Sequence, residues 1–219
     1  MVRMTTHVAI ELAADLADVG DLLADAQAYD AAGADTLWLA PAAGLDPWPI
    51  LGAIAVLTHR ARLGTTVLAG DGNVGAVSRT LSRLSRGRLL LAVDGPAGAL
   101  ASLQRGWQGG GRPLLFSVAR DPAAARAAAA TDGLIHRGDI ESARPVIAAA
   151  RDAQSGPGQL ECWVRVTLPN DRADWVETRA AYAALGVTGV ILPQSPRSLD
   201  LLRNPDTVDD RSDLRVAQG

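Results

Sequence analysis

The chain has 219 residues, 48% of them hydrophobic, a mean hydropathy of +0.10, a formal net charge of -3 and a pI near 5.6. This composition suits one folded domain with a sizeable core, and it lacks the basic stripe that a nucleic-acid partner needs. No apolar run approaches the roughly 20 residues of a membrane span, and residues 1–6 hold no apolar leader segment, so a cytoplasmic protein is expected. All 21 cationic residues are arginine, which excludes a lysine Schiff base or a lysine general base. Cys162 is the only cysteine, so an intrachain disulfide and a cysteine metal cluster are excluded. It lies in an apolar run and reads as a core residue.

Short apolar runs alternate with amphipathic ones, the pattern of a parallel sheet or barrel. Strands are predicted over 7–12, 36–39, 62–68, 88–93, 114–118, 133–135, 162–167 and 189–192. Helices fill the gaps. One carries Ile50, Ile54 and Leu57 at helical spacing, the next Val74, Val77, Leu81 and Leu84, and a late one Trp175, Tyr182 and Leu185. Gly33, Gly87 and Gly186 stand where C-cap glycines precede a strand. Asp46-Pro47, Asp121-Pro122 and Ser195-Pro196 each place a capping oxygen before a proline at the first helical position. Each pair follows a strand, so these helix N-termini should open on one barrel face. The alanines at 127–130 read as helix packed against the barrel. Gly106 to Arg112 reads as a flexible link, and 203–219 as a polar tail beyond a single domain of 1–202.

The segment from Asp46 to Gly95 is the most distinctive. Thr58, Arg60, Arg62, Leu63, Gly64 and Thr65 lead into the third strand, and Leu84, Ser85, Gly87, Arg88 and Leu89 into the fourth. Together with 31–38 upstream and Asp121-Pro122 and Thr131-Asp132-Gly133 downstream, this resembles the bacterial-luciferase-like family of flavin- and deazaflavin-dependent oxidoreductases. The resemblance implies a (β/α)8 TIM-type barrel, with FMN or coenzyme F420 as cofactor, a small-molecule substrate, and pairing with a second copy or a paralogue through the second and third helices. The sequence also departs from the family. Past the second strand, where members carry an acid or His, stand Ala40, Pro41, Ala42 and Ala43. Gly70-Asp71 replaces His-Pro, and Val93-Asp94-Gly95 replaces Gly-x-Gly. The long excursion after the fourth strand shrinks to 96–112.

Functional groups of parallel barrels sit at the C-terminal ends of the strands. Glu11, Asp94 and His136 are the catalytic candidates there, carboxylates and an imidazole being the usual acids and bases. The cofactor-binding candidates are Trp38, Thr65, Thr66, Asp94, Ser117, Arg120, Ser195 and Arg197. Arg120, Arg137 and Arg197 are candidate phosphate ligands, because a guanidinium matches phosphate with a planar fork and helix N-termini add N–H donors. Asp71 and Asn170 also follow strands. Trp38 could touch a flavin edge, but the tryptophans fit packing better. His59 belongs to a helix surface and His7 to the opposite barrel end. No His/Cys/Asp cluster has metal spacing, and Asp71 to Gly75 lacks the lysine of a phosphate loop. Two functions remain: an oxidoreductase whose cofactor carries the chemistry, or a non-catalytic relative that binds flavin or serves a partner.

Overall fold

In the computed structural model, residues 6–13, 18–40, 42, 45–68, 74–95, 103, 107, 112–154 and 160–203 are described. The strands are β1 (His7–Leu12), β2 (Thr36–Leu39), β3 (Arg62–Leu68), β4 (Leu89–Asp94), β5 (Leu114–Ala119), β6 (Gly133–Arg137), β7 (Glu161–Arg165) and β8 (Gly189–Pro193). They close in sequence order into an eight-stranded parallel barrel, with β8 returning to β1. The described helices are α1 (Val19–Ala32), α2 (Pro47–Leu57), α3 (Val74–Leu84), α4 (Pro122–Ala127), α5 (Ile140–Ala153), α6 (Arg172–Leu185) and α7 (Pro196–Arg203). None of the described helices is long and apolar enough to cross a membrane. The glycines at 109–111, Pro41, Ala43, Asp71 and the tail at 204–219 lie outside the described residues.

Strand side chains alternate between two cores. One set, including Ile10, Leu37, Leu63, Leu91 and Val190, faces outward and packs with Leu22, Leu51, Ile54, Leu81 and Trp175 of the helices. The other set, including Ala9, Trp38, Ala92, Phe116, Val118, Ile135 and Trp163, fills the barrel. Large rings inside a narrow barrel need bare backbone beside them. A Cβ on Gly64 would lie 2.1 Å from Trp38, and one on Gly189 would lie 2.4 Å from Trp163. Glycine at these two positions is therefore the condition for those tryptophans.

The N-terminal end of the barrel is closed by a polar cluster. Arg62 donates to both oxygens of Glu161 at 2.9 and 3.1 Å, and Trp163 Nε1 donates to Glu161 at 2.8 Å. The Arg62 guanidinium lies 5.3 Å from the Trp163 ring centroid, and His7 stacks on Trp163 at 6.2 Å. Beside this cluster the turn at 58–61 is gripped from two sides. Asp30 of α1 accepts from the backbone N–H groups of His59, Arg60 and Ala61. Arg88 donates to the carbonyls of Ala55, Thr58 and Ala61. The motif residues Thr58 and Arg88 thus hold an αβ turn on the face of the barrel that serves stability.

Three expectations change in detail. The buried side of α3 is Val74, Ser78, Leu81 and Ser82, with Leu84 half exposed, so this face is rotated from the apolar stripe. Ser78 can be buried there because its hydroxyl accepts from Trp107 Nε1 at 2.8 Å. Residues 128–130 form a 3₁₀ turn instead of continuing α4, since Thr131 Oγ1 donates back to the Ala128 carbonyl and tightens the end. His59 lies in the turn after α2, not on the helix. The capping readings agree with the structure: Asp46, Asp121 and Ser195 accept from the N–H groups of Trp48, Ala124 and Ser198, and Gly33 and Gly186 are left-handed C-caps.

Candidate functional site

The inward alternation decides which groups reach the C-terminal mouth. Continuing each strand's inward set past the apolar layer gives Glu11 on β1, Ala40 after β2, Thr66 and Leu68 on β3, Asp94 on β4, Arg120 after β5, Arg137 on β6 and Arg165 on β7. Glu11 pairs with Arg165 across the rim. Asp94 pairs with Arg120 at 2.5 Å. Burial lowers the pKa of Arg165. Arg137 and Arg165 are direct register partners on β6 and β7. Arg137 has no ion-pair partner among the described residues; its Nη2 lies 3.4 Å from Thr66 Oγ1. Leu68, the register partner of Asp94, is 65% exposed and gives the rim an apolar wall.

The structure therefore brings together Glu11, Asp94, Thr66 and Arg120 among the predicted site residues. It separates others. His136 is 2% exposed and points behind the sheet, its Nδ1 paired with the Ala119 carbonyl at 2.9 Å and its Nε2 with Ser142 Oγ at 3.1 Å. Thr65 is fully buried on the outer side and donates to the Leu39 carbonyl. Ser117, register partner of the outward-facing Val93, shares that outer side. Trp38 is 3% exposed and belongs to the barrel filling beneath the mouth.

At the start of α7, much of the N-terminal hydrogen bonding is internal. The Ser195 N–H meets the Tyr29 hydroxyl at 3.0 Å, and the Ser198 N–H donates to Ser195 Oγ at 3.0 Å. Arg197 is exposed and donates to the Pro169 carbonyl at 3.1 Å. Asn170 caps toward α6, its N–H donating to Asp174 at 2.8 Å.

Arg165 is the residue that reading the sequence missed. The predicted strand ran on to Thr167, so attention fell on Asn170 past its end. The signal was present: Glu161, Trp163 and Arg165 recur with period two, and the buried Trp163 fixes that face as the interior. Cys162, on the opposite face, is buried, and burial pushes its thiol up to about 11.

Residues 2–98 match the family described as Luciferase-like monooxygenase. A search of curated proteins finds no match. Among solved structures, an F420-dependent secondary alcohol dehydrogenase, in complex with an F420-acetone adduct, is similar at TM-score 0.75 and 12% identity, covering 91% of this chain and 96% of that one. Riboflavin lyase (RcaE), with modified FMN and riboflavin, is similar at TM-score 0.72 and 11% identity, covering 92% and 91%. Phosphoribosylanthranilate isomerase from Thermotoga maritima is similar at TM-score 0.58 and 10% identity, covering 91% and 96%. At these identities the likeness is one of fold, and it extends to barrels of other chemistry. The likeness to the luciferase-like monooxygenase family itself lies in the sequence match over residues 2–98, which spans β1 to β4.

Proposed function

We propose that this protein is a flavin- or deazaflavin-dependent oxidoreductase of the luciferase-like type, holding FMN or coenzyme F420 at the barrel mouth and acting on a small molecule. The observation that carries this reading is the rim itself: Arg120, Arg137 and Arg165 with Thr66, next to the exposed Leu68. Both cofactors join a flat ring to an anionic tail, and this donor set fits that combination. Arg120 and Arg137 would meet the anionic part. Ser195 and Arg197 would serve a phosphate only if Arg197 leaves the Pro169 carbonyl. The bound cofactor supplies hydride or electron transfer, so the protein's task is to bind, orient and exclude water.

A second reading, a flavin binder without turnover, is favoured by one observation: Glu11 and Asp94 are each held by an arginine. Neither is a free acid or base at the rim. Equilibrium titration of the purified chain with FMN and with F420, followed by absorbance, tests the proposal. Saturable binding of one of them is expected; binding of neither overturns it. Reduction of the bound cofactor by candidate substrates then separates enzyme from binder.

The partner proposed is a second copy, through α2 and α3. Val56 is 64% exposed, Leu57 36% and Leu84 49%, which places apolar surface on these two helices. Light scattering should give a dimer, and Val56→Arg should shift it to monomer. A parent that stays monomeric at high concentration would refute this pairing.

A further inference from the structure

We propose that the centre of the barrel mouth is a seat for the carboxylate or phosphate group of a small amphipathic ligand, gripped by Arg137 with Thr66. This rests on the mouth being the working site, but not on a flavin being bound there. Three observations carry it. First, Arg137 and Arg165 are register partners on adjacent strands, so two arginines face the inside of the barrel at this part of the rim. Glu11 offsets Arg165, whereas Arg137 faces no carboxylate among the described residues. An anion would remove that imbalance.

Second, Arg137 reaches inward. It sits on β6, yet its Nη2 comes within 3.4 Å of Thr66 Oγ1 on β3, three strands away around the barrel. The guanidinium therefore lies across the opening and not out on a helix surface. Beneath it are Val118, Ile135, Ala92 and Trp38, all buried. Arg137 itself is exposed, so a ligand entering from the mouth can reach it above this apolar layer. The planar fork of arginine suits a carboxylate or phosphate, and the Thr66 hydroxyl adds one donor.

Third, the rim is not uniformly polar. Leu68 is 65% exposed on the same strand as Thr66, and Ala40 stands just past the end of the neighbouring one. A ligand with an apolar body and one anionic group matches this pairing better than a free inorganic ion. The anion could be the phosphate of a cofactor or the carboxylate of a substrate.

Four probes distinguish these sources on the full chain: FMN, riboflavin, inorganic phosphate and 4-fluorobenzoate. Binding is measured by absorbance and by fluorine and phosphorus NMR titration. Arg137→Met is the test variant, and Arg126→Met, on the exposed side of α4, is the control. Arg137→Met should fold, because Arg137 is exposed and has no ion pair to lose among the described residues; a thermal melt close to the parent's verifies this. Loss of the charge-assisted contact should weaken the anion about ten- to a hundredfold. If FMN binds more tightly than riboflavin and Arg137→Met erases the difference, the seat takes the cofactor's phosphate. If the flavins bind alike but 4-fluorobenzoate binding depends on Arg137, it takes a substrate carboxylate. If no flavin binds while phosphate or 4-fluorobenzoate still depends on Arg137, the cofactor proposal fails and the seat stands. If no anion binds the parent, or Arg137→Met and Arg126→Met bind every probe as the parent does, the seat does not exist.

Discussion

Replacing Arg88 by Met should destabilise the barrel without touching its mouth. The aliphatic stem survives, so the change isolates the guanidinium. That group donates to Ser85 O at 2.8 Å, to Ala61 O at 2.5 Å, to Thr58 Oγ1 at 3.2 Å, to Ala55 O at 3.1 Å and to Thr58 O at 2.9 Å. A hydrogen bond from a charged donor contributes roughly 1.5–3 kcal/mol in isolation. The full sum cannot be realised, because burial penalises the cation itself, as its lowered pKa indicates, and because bonds of one group are not additive. Water can also reach part of the vacated space. A net loss of about 3 kcal/mol remains, mainly from stranded carbonyls at Ala55, Thr58 and Ala61, which are nearly fully buried. For a chain of this length that lowers Tm by about 6–12 °C. Urea unfolding of Arg88→Met, Asp30→Asn and the double variant is the assay. Both residues hold the turn at 58–61, so the double variant should lose less than the sum, with a coupling above about 0.5 kcal/mol. A loss below about 1 kcal/mol for Arg88→Met, or strict additivity, would show that this turn does not need its clamp.

Further predictions concern the cores and the polar end. Gly64→Ala should cost on the order of 1–3 kcal/mol through overpacking on Trp38, and Trp38→Leu in the same chain should recover part of it; a Gly64→Ala protein as stable as the parent would contradict the packing. Asp30, Asp35 and Glu161 are held below the usual carboxylate range even though burial opposes this, by backbone N–H donors at Asp30, by His7 and Val8 at Asp35, and by Arg62 and Trp163 at Glu161. Their stabilisation is present above an unfolded pKa of about 4 and lost as pH falls through the lower folded values, so urea midpoints should drop there, less steeply in Glu161→Gln. The hydrogen bond to Asp35 raises the pKa of His7, so its contribution is complete below about pH 6.5 and fades as pH rises through the higher folded value; His7→Gln should flatten that decline. Cys162, buried and with its thiol pushed up to about 11, should resist a disulfide reagent at mildly alkaline pH until the protein unfolds. Rapid stoichiometric labelling of the native chain would show otherwise.

The sequence by itself determined the architecture. Eight apolar runs, the proline-preceded caps and the C-cap glycines are local features, set by backbone sterics and hydrogen bonding within a few residues, and the structure closes those eight runs into the expected barrel. The resemblance around 58–95 likewise lay in contiguous residues, and residues 2–98 carry the family match. What each motif residue does was not legible, because Thr58 and Arg88 lie thirty positions apart and meet only when β3 and β4 pair. The site divided along the same line. Asp94 and Arg120 were readable as strand-end groups, but that they neutralise one another depends on the neighbouring strands β4 and β5. His136 and Arg137 are consecutive in the chain, and period two sends one behind the sheet and the other over the mouth. Only the closed barrel, with its tryptophans fixing which face is interior, decides which of such neighbours can meet a ligand. Side-chain direction in a strand is a parity, and parity needs a tertiary reference to be read.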